Sequence, residues 1–269
     1  MKLTLLTEAH QIIHWMKDYA EKSGRKSWVL GVSGGVDSAL SSTLAAMTGL
    51  PTHCVVLPCK TKDDQTDRGL KHINWLQTNF PNVSYHKIDL TETFESFAYE
   101  VEEKYDNDLA FANTKSRLRM VALYQVATCF DGLVVGTGNK VEDFGVGFFT
   151  KYGDGGVDIS PIADFMKSEV REIAKQLGVL PELYNAVPTD GLWDDTRTDE
   201  SAIGATYDEL EWAMVYADEA YKSDYVKLTP RQQEVLNIYM RRHIASKHKM
   251  APIPTFIRET TRLKHEAMM

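Results

Sequence analysis

The eight residues from Val32 to Ala39, VSGGVDSA, constrain this chain more than any other stretch. They lie between an apolar run, WVLGV (28–32), and a run of small and apolar residues, ALSSTLAAM (39–47). The first has the length and character of a short buried strand. SALSSTLAAMTG (38–49) reads as a helix, with Leu40, Thr43, Leu44 and Met47 on one stripe and Gly49 as its stop. Gly34 and Gly35 then fall at the turn between the two elements. Glycine accepts positive φ and lets the backbone come close to a ligand. The first N–H groups of a helix have no internal partner and carry a partial positive charge, so this turn is a cradle suited to phosphate. Ser33 and Ser38 can add hydroxyl donors.

Asp37 is the odd member of the loop. The segment has neither a P-loop lysine nor the G-x-G-x-x-G pattern. A carboxylate beside a phosphate repels it unless a cation lies between, which makes Asp37 a candidate magnesium ligand. Taken separately, "GG" and "DS" fit an ordinary turn with an Asp/Ser helix cap. The ordered run SGGVDS, placed straight after a strand and opening a helix, favours the ligand reading.

The rest of the chain repeats the alternation. HCVVL (53–57), SYHKIDL (84–90) and GLVVGT (132–137) read as further strands. Helices are predicted over Thr7–Lys22, near Leu70–Phe80, over TKSRLRMVALYQVATCF (114–130) and over MKSEVREIAKQLGV (166–179). Residues 58–69 and 188–201 are polar and read as loops, and residues 138–156 as Gly-rich and irregular. This order predicts an α/β fold, an open parallel sheet with helices on both faces. Ligands in such sheets bind beyond the carboxyl ends of the strands. The chain reads as one domain over residues 1–269.

Composition excludes several classes. A formal charge of −8 is a poor match to nucleic-acid backbones. No run of 18 apolar residues is present, so no membrane span is expected. The N-terminus lacks a secretory pattern, and Cys54, Cys59 and Cys129 form neither a CxxC pair nor an even framework. Both points suggest a reducing cytoplasm.

SGGVDS resembles the pyrophosphate-binding loop of the N-type ATP pyrophosphatases, whose fold is Rossmann-like (adenine nucleotide alpha hydrolase-like). Within that superfamily SRLRMVALY (116–124), the long block from Val134 to Val179 that contains FFTKYGDGG, PTDGLWDDTRTDESAIGATYDELE (188–211) and the His248–Lys249 pair resemble the ammonia-dependent NAD synthetases. The resemblance implies an ATP- and Mg2+-dependent amidation of deamido-NAD with ammonia through an adenylated intermediate, giving NAD, AMP and pyrophosphate. It also implies a homodimer, and no glutamine amidotransferase domain. By this resemblance Gly31, Val32, Ser33, Gly34, Gly35, Val36, Asp37 and Ser38 hold ATP, with Thr137, Lys167 and Thr189. Asp37 and Glu142 hold magnesium. Arg117, Lys151, Asp158, His248 and Lys249 contact deamido-NAD, and Asp154 positions ammonia.

Arg117 and Arg119 are about 200° apart on a helix, so at most one is expected to face the site. The family pattern selects Arg117 and leaves Arg119 a surface or structural role. The segment DFGVGFFT (143–150) is one residue longer than in the bacterial pattern, and PCKTKDDQTDRG (58–69) lacks a QQDEDD-like run, so no ATP contact is assigned there. The alternative is another N-type ATP pyrophosphatase, such as a tRNA-thiolating enzyme. That reading calls for a basic face and a cysteine pair, neither of which is evident.

Overall fold

The computed structural model describes residues 4–60, 63–189, 192, 198–219 and 228–258. The loop expectations for 61–62, 190–191 and 193–197 lie outside the described residues. Four parallel strands, β1 (Ser27–Gly31), β2 (Thr52–Val56), β3 (Val83–Lys87) and β4 (Gly132–Val134), form one sheet in the order β3-β2-β1-β4. The expected fold class is therefore present. Chain order runs outward from β1 in one direction and then resumes on its other side at β4. The loops after β1 and β4 diverge, and a crevice opens between them.

Side-chain alternation fills both faces. Trp28, Leu30 and Val32 point into one core with α1 (Leu5–Ser23), α2 (Val36–Met47), α3 (Asp63–Asn79) and α6 (Lys167–Gln176). Val29, Val55, Leu57 and Val134 point into the other, under α4 (Thr91–Tyr105) and α5 (Asp108–Cys129). Local sequence signals bound α1 at both ends. Thr4 caps α1, with its hydroxyl oxygen accepting from the Thr7 N–H, and Gly24 closes the helix in the left-handed region at φ 66°.

A third core joins the remaining elements. A π-helical turn over Lys140–Val146 packs against α8 (Asp199–Ile203), α9 (Tyr207–Glu219) and α10 (Pro230–Met250), which follow the short α7 (Pro181–Tyr184). Beyond β4, Ile159 bridges to Val135, and the Gly136 N–H donates to the Ile159 carbonyl at 2.7 Å. This segment covers the outer edge of β4.

The elements depart from the sequence expectation in four places. α3 begins at Asp63, inside the stretch read as a loop. Residues 91–112, for which no element is predicted above, hold α4 and the start of α5. The irregular stretch after β4 contains the π-helical turn. The loop read over 188–201 ends in α8, which Thr198 caps.

One buried group in the first core carries a pH signature. His72 of α3 is fully buried and shares a 2.9 Å hydrogen bond with the Ser42 hydroxyl of α2. Burial lowers its pKa to about 4. In the unfolded chain a histidine titrates near 6.5. As pH falls the unfolded chain takes up this proton first, so stability present above about 6.5 is lost on the way down to 4. The loss from pH 7 to pH 4 is about 3 kcal/mol. Denaturant titrations at the two pH values check it: His72→Gln, which faces Ser42 with a neutral amide, should lose that part of the difference. An unchanged pH dependence in the variant refutes the assignment.

Candidate active site

The sheet's carboxyl edge opens into a cavity of about 660 Å³. All of Gly31–Ser38 lines it, as do Thr137, Glu142, Asp154, Lys167 and Thr189. The loop after β1 is braced from within. Ser38 is buried; its hydroxyl donates to the Gly35 carbonyl at 3.0 Å, accepts from the Ser33 N–H at 3.2 Å and lies 3.1 Å from the Ser33 hydroxyl. Ser38 thus shapes the loop, whereas Ser33 is exposed to the cavity.

Opposite this loop, the β4 loop and α6 bring three charges together. Lys167, at the start of α6 and only 3% exposed, donates to Asp37 Oδ2 at 2.5 Å and to Glu142 Oε1 at 2.8 Å. Burial would drive this lysine toward its neutral form, but the Asp37 and Glu142 carboxylates outweigh burial and hold its pKa above the ordinary range. Asn139 is fully buried and ties the group together. Its amide donates to Asp37 Oδ1 at 3.1 Å, and its carbonyl oxygen accepts from the Glu142 N–H at 3.1 Å. The Tyr207 hydroxyl donates to Glu142 Oε1. Burial first, then Glu142 and Asp199, raises the phenol pKa far beyond neutral pH, so it stays a donor.

A second acidic group lies deeper. The Asp154 carboxylate accepts from the Ser116 hydroxyl at 2.7 Å and from the Thr150 N–H at 3.0 Å, while its own N–H donates to Ser116 at 2.9 Å. The side chain is open to the cavity yet surrounded by protein, and burial raises its pKa against these hydrogen bonds. Asp143 lines the same space, its pKa raised well above the usual range by burial and by Asp154 and Glu142. Lys249 sits between cavities, donating to the Gly147 and Phe149 carbonyls at 2.5 and 2.7 Å.

The adjoining cavity, of about 290 Å³, gathers Arg117, Lys151, His248 and Lys249, four of the five expected substrate contacts. Lys151 donates to the His248 carbonyl at 3.2 Å, and Arg117 to the Lys151 carbonyl at 3.4 Å. The two cavities share Asn113, Phe149, Thr150 and Lys249. Asp158 lies outside both. Its carboxylate accepts from the Val134 N–H at 2.8 Å and from the Tyr124 hydroxyl at 3.1 Å, on the covered edge of β4.

Arg119 also reaches a cavity, where the helix geometry allowed at most one of the two arginines to face the site. It lines the larger cavity while Arg117 lines the smaller, so both arginines of that helix reach a pocket wall. The Arg119 Nε donates to the Leu57 carbonyl at 3.1 Å. Other wall residues went unread in the sequence. Gln65 and Arg68 reach the cavity because α3 starts early, and the Gln65 amide donates to the Thr189 hydroxyl at 2.5 Å across its mouth. An N-x-x-E pattern, the signature of a helix start, could have identified Asn139. Tyr207 and Asp199 gave no signal, since an aromatic near a glycine reads as core.

The donor set suits magnesium. That ion takes one or two carboxylates together with phosphate oxygens and water. Asp37 and Glu142 already converge on one cationic point, the Lys167 ammonium. Among the described residues no group of three or more His, Cys, Asp or Glu side chains could enclose a metal, so an all-protein cage is absent there. Cys54 is buried, with its thiol pushed up to about 12 by burial, and is inert.

Residues 8–252 match the NAD synthase family. The NH(3)-dependent NAD(+) synthetase of Alkaliphilus oremlandii is 35% identical over 255 residues, which cover 91% of this chain and 95% of that one. That of Mesoplasma florum is 37% identical over 203 residues, covering 74% of this chain and 80% of the other. Among solved structures, the NMN synthetase from Francisella tularensis superposes with a TM-score of 0.80 at 30% identity, covering 95% of this chain and all of that one. With a match across most of its length, a parallel sheet of the same kind and a carboxylate pair at the switch point, this chain belongs to the NAD synthase family.

Proposed function

We propose that this chain is an ammonia-dependent NAD synthetase, amidating the nicotinate carboxylate of deamido-NAD with cleavage of ATP to AMP and pyrophosphate. The observation that carries the reading is the join between the two cavities. One is lined by a phosphate cradle and a carboxylate pair, the other by Arg117, Lys151, His248 and Lys249, and they meet at Asn113 and Thr150.

In the first step the substrate carboxylate attacks the α-phosphorus and pyrophosphate leaves. The β1 loop and the amino end of α2 hold the phosphates, and Lys167 supplies the cation that the loop lacks. Asp37 and Glu142 would hold magnesium, which when bound would neutralise charge on the departing pyrophosphate. In the second step ammonia attacks the adenylated carbonyl carbon and AMP leaves. Asp154, with its raised pKa, holds ammonium and takes its proton. No side-chain nucleophile takes part. Positioning and charge neutralisation provide the acceleration.

A second reading, amidation of the mononucleotide, is favoured by the likeness to the Francisella tularensis protein that is named an NMN synthetase. A single assay separates the two. Purified protein is given ATP, Mg2+ and ammonium with either deamido-NAD or nicotinic acid mononucleotide, and pyrophosphate and amide product are followed. The expected result is a kcat/KM at least tenfold higher for deamido-NAD. A preference for the mononucleotide moves the assignment to the second reading. Pyrophosphate release with neither substrate overturns both.

A further inference from the structure

The run DESAIGATYDELE (199–211) has no role in the proposal above, yet two of its side chains reach the carboxylate pair. Tyr207 opens α9 and is 1% exposed. Its N–H donates to Glu200 Oε1 at 3.0 Å, and its ring lies 4.9 Å from the Lys167 ammonium. Its hydroxyl donates to Glu142 Oε1, the same oxygen that takes the Lys167 hydrogen bond. That hydroxyl is also 3.3 Å from Asp199 Oδ2. The Asp199 N–H in turn donates to the Pro188 carbonyl at 3.0 Å.

The chemistry of this arrangement is specific. Glu142 sits on a π-helical turn, at the end of a side chain with three rotatable bonds. Its two donors differ in kind. An ammonium competes with a divalent cation for the carboxylate and can be drawn off by phosphate. A neutral phenol does not compete, and keeps one carboxylate oxygen in place while the other group leaves. Partners that orient metal ligands in this way are worth about 10- to 100-fold in affinity. A phenylalanine would fill the same space without that function.

We propose that Tyr207 is a positioning residue whose hydroxyl sets the Glu142 carboxylate to receive the divalent cation. This rests on the reading that Glu142 takes that cation. The test uses Mn2+ as the probe, titrated into enzyme carrying α,β-methylene-ATP and followed by water-proton relaxation. Glu142→Gln should weaken Mn2+ binding, and Tyr207→Phe should weaken it about tenfold. The double variant should bind no more weakly than Glu142→Gln alone. The melting temperature without metal sets a measuring temperature at which each variant is folded.

If Glu142→Gln weakens binding and Tyr207→Phe does not, the inference falls and the cation reading stands. Additive losses in the double variant also overturn it, because Tyr207 then acts elsewhere. If Glu142→Gln binds Mn2+ like wild type, both fall. A second measurement does not depend on the phenylalanine variant folding. With 3-fluorotyrosine placed at 207, the fluorine resonance should move on Mg2+ addition and stay fixed in the Glu142→Gln background. A resonance unmoved by Mg2+ in the otherwise wild-type chain overturns the inference.

Discussion

Lys167→Met is expected to lower stability by about 3–5 kcal/mol and turnover by about 10²- to 10³-fold. The lysine is almost fully buried between Asp37 and Glu142, so removing it leaves two carboxylates facing each other without a cation. The penalty is that of buried uncompensated charge, not of one lost contact. Thermal unfolding reads it as a fall of roughly 10 °C, given the entropy of unfolding of a chain this size. Two further signs identify the cause. Added Mg2+ should recover part of the stability, since it neutralises the same pair. Lowering the pH should shrink the difference from wild type, because a protonated carboxyl can bond to its neighbour. A variant that melts with wild type, or whose loss ignores both Mg2+ and pH, would refute the charge-pair account.

Gly34→Ala is expected to be the most damaging substitution in the phosphate loop, and Gly35→Ala the mildest to the fold. Gly34 has φ 82°, in the left-handed region. A side chain there costs about 1–2 kcal/mol from backbone sterics alone. An added Cβ would also lie 2.4 Å from the Gln65 carbonyl oxygen and 3.1 Å from both the Arg68 Cβ and the Gly69 N. These atoms belong to α3, so the helix must retreat from the loop. Its retreat would carry Gln65 away from Thr189. At Gly35 φ is −94° and the nearest atom to a new Cβ is the Ser33 hydroxyl at 3.5 Å, ordinary contact. The measurement is the pair of melting temperatures together with the KM for ATP. Gly34→Ala should melt several degrees lower, with turnover down at least about 100-fold. Equal melting of the two variants would refute the proposed clash with α3.

What could be read from the sequence follows from the range of the interactions. The β1 strand, its glycine turn and α2 are one local unit, so their residue types alone implied the element order and the phosphate cradle. Lys167 was indicated as an ATP contact by the family resemblance. Its placement between Asp37 and Glu142, 130 and 25 residues away in the chain, was not. The start of α3 was missed because a run of Asp, Gln and Thr reads equally as a loop or as the solvated first turn of a helix. Asn139 and Tyr207 act across 102 and 65 residues, on Asp37 and Glu142, and no local pattern encodes such pairings. Asp158 lies where the backbone of the edge strand needs an acceptor, a demand that appears only once the sheet is built.

The wall shared by the two cavities has a geometric corollary. Thr150 donates to Asn113 at 2.7 Å, so the lining common to the two chambers is braced from within. A molecule anchored among Arg117, Lys151 and His248 must span the smaller chamber before its acid group arrives at that lining. The distance works as a gauge. Molecules with too short a tether would dock and yet fall short of the phosphorus, and selectivity would then depend on reach more than on grip.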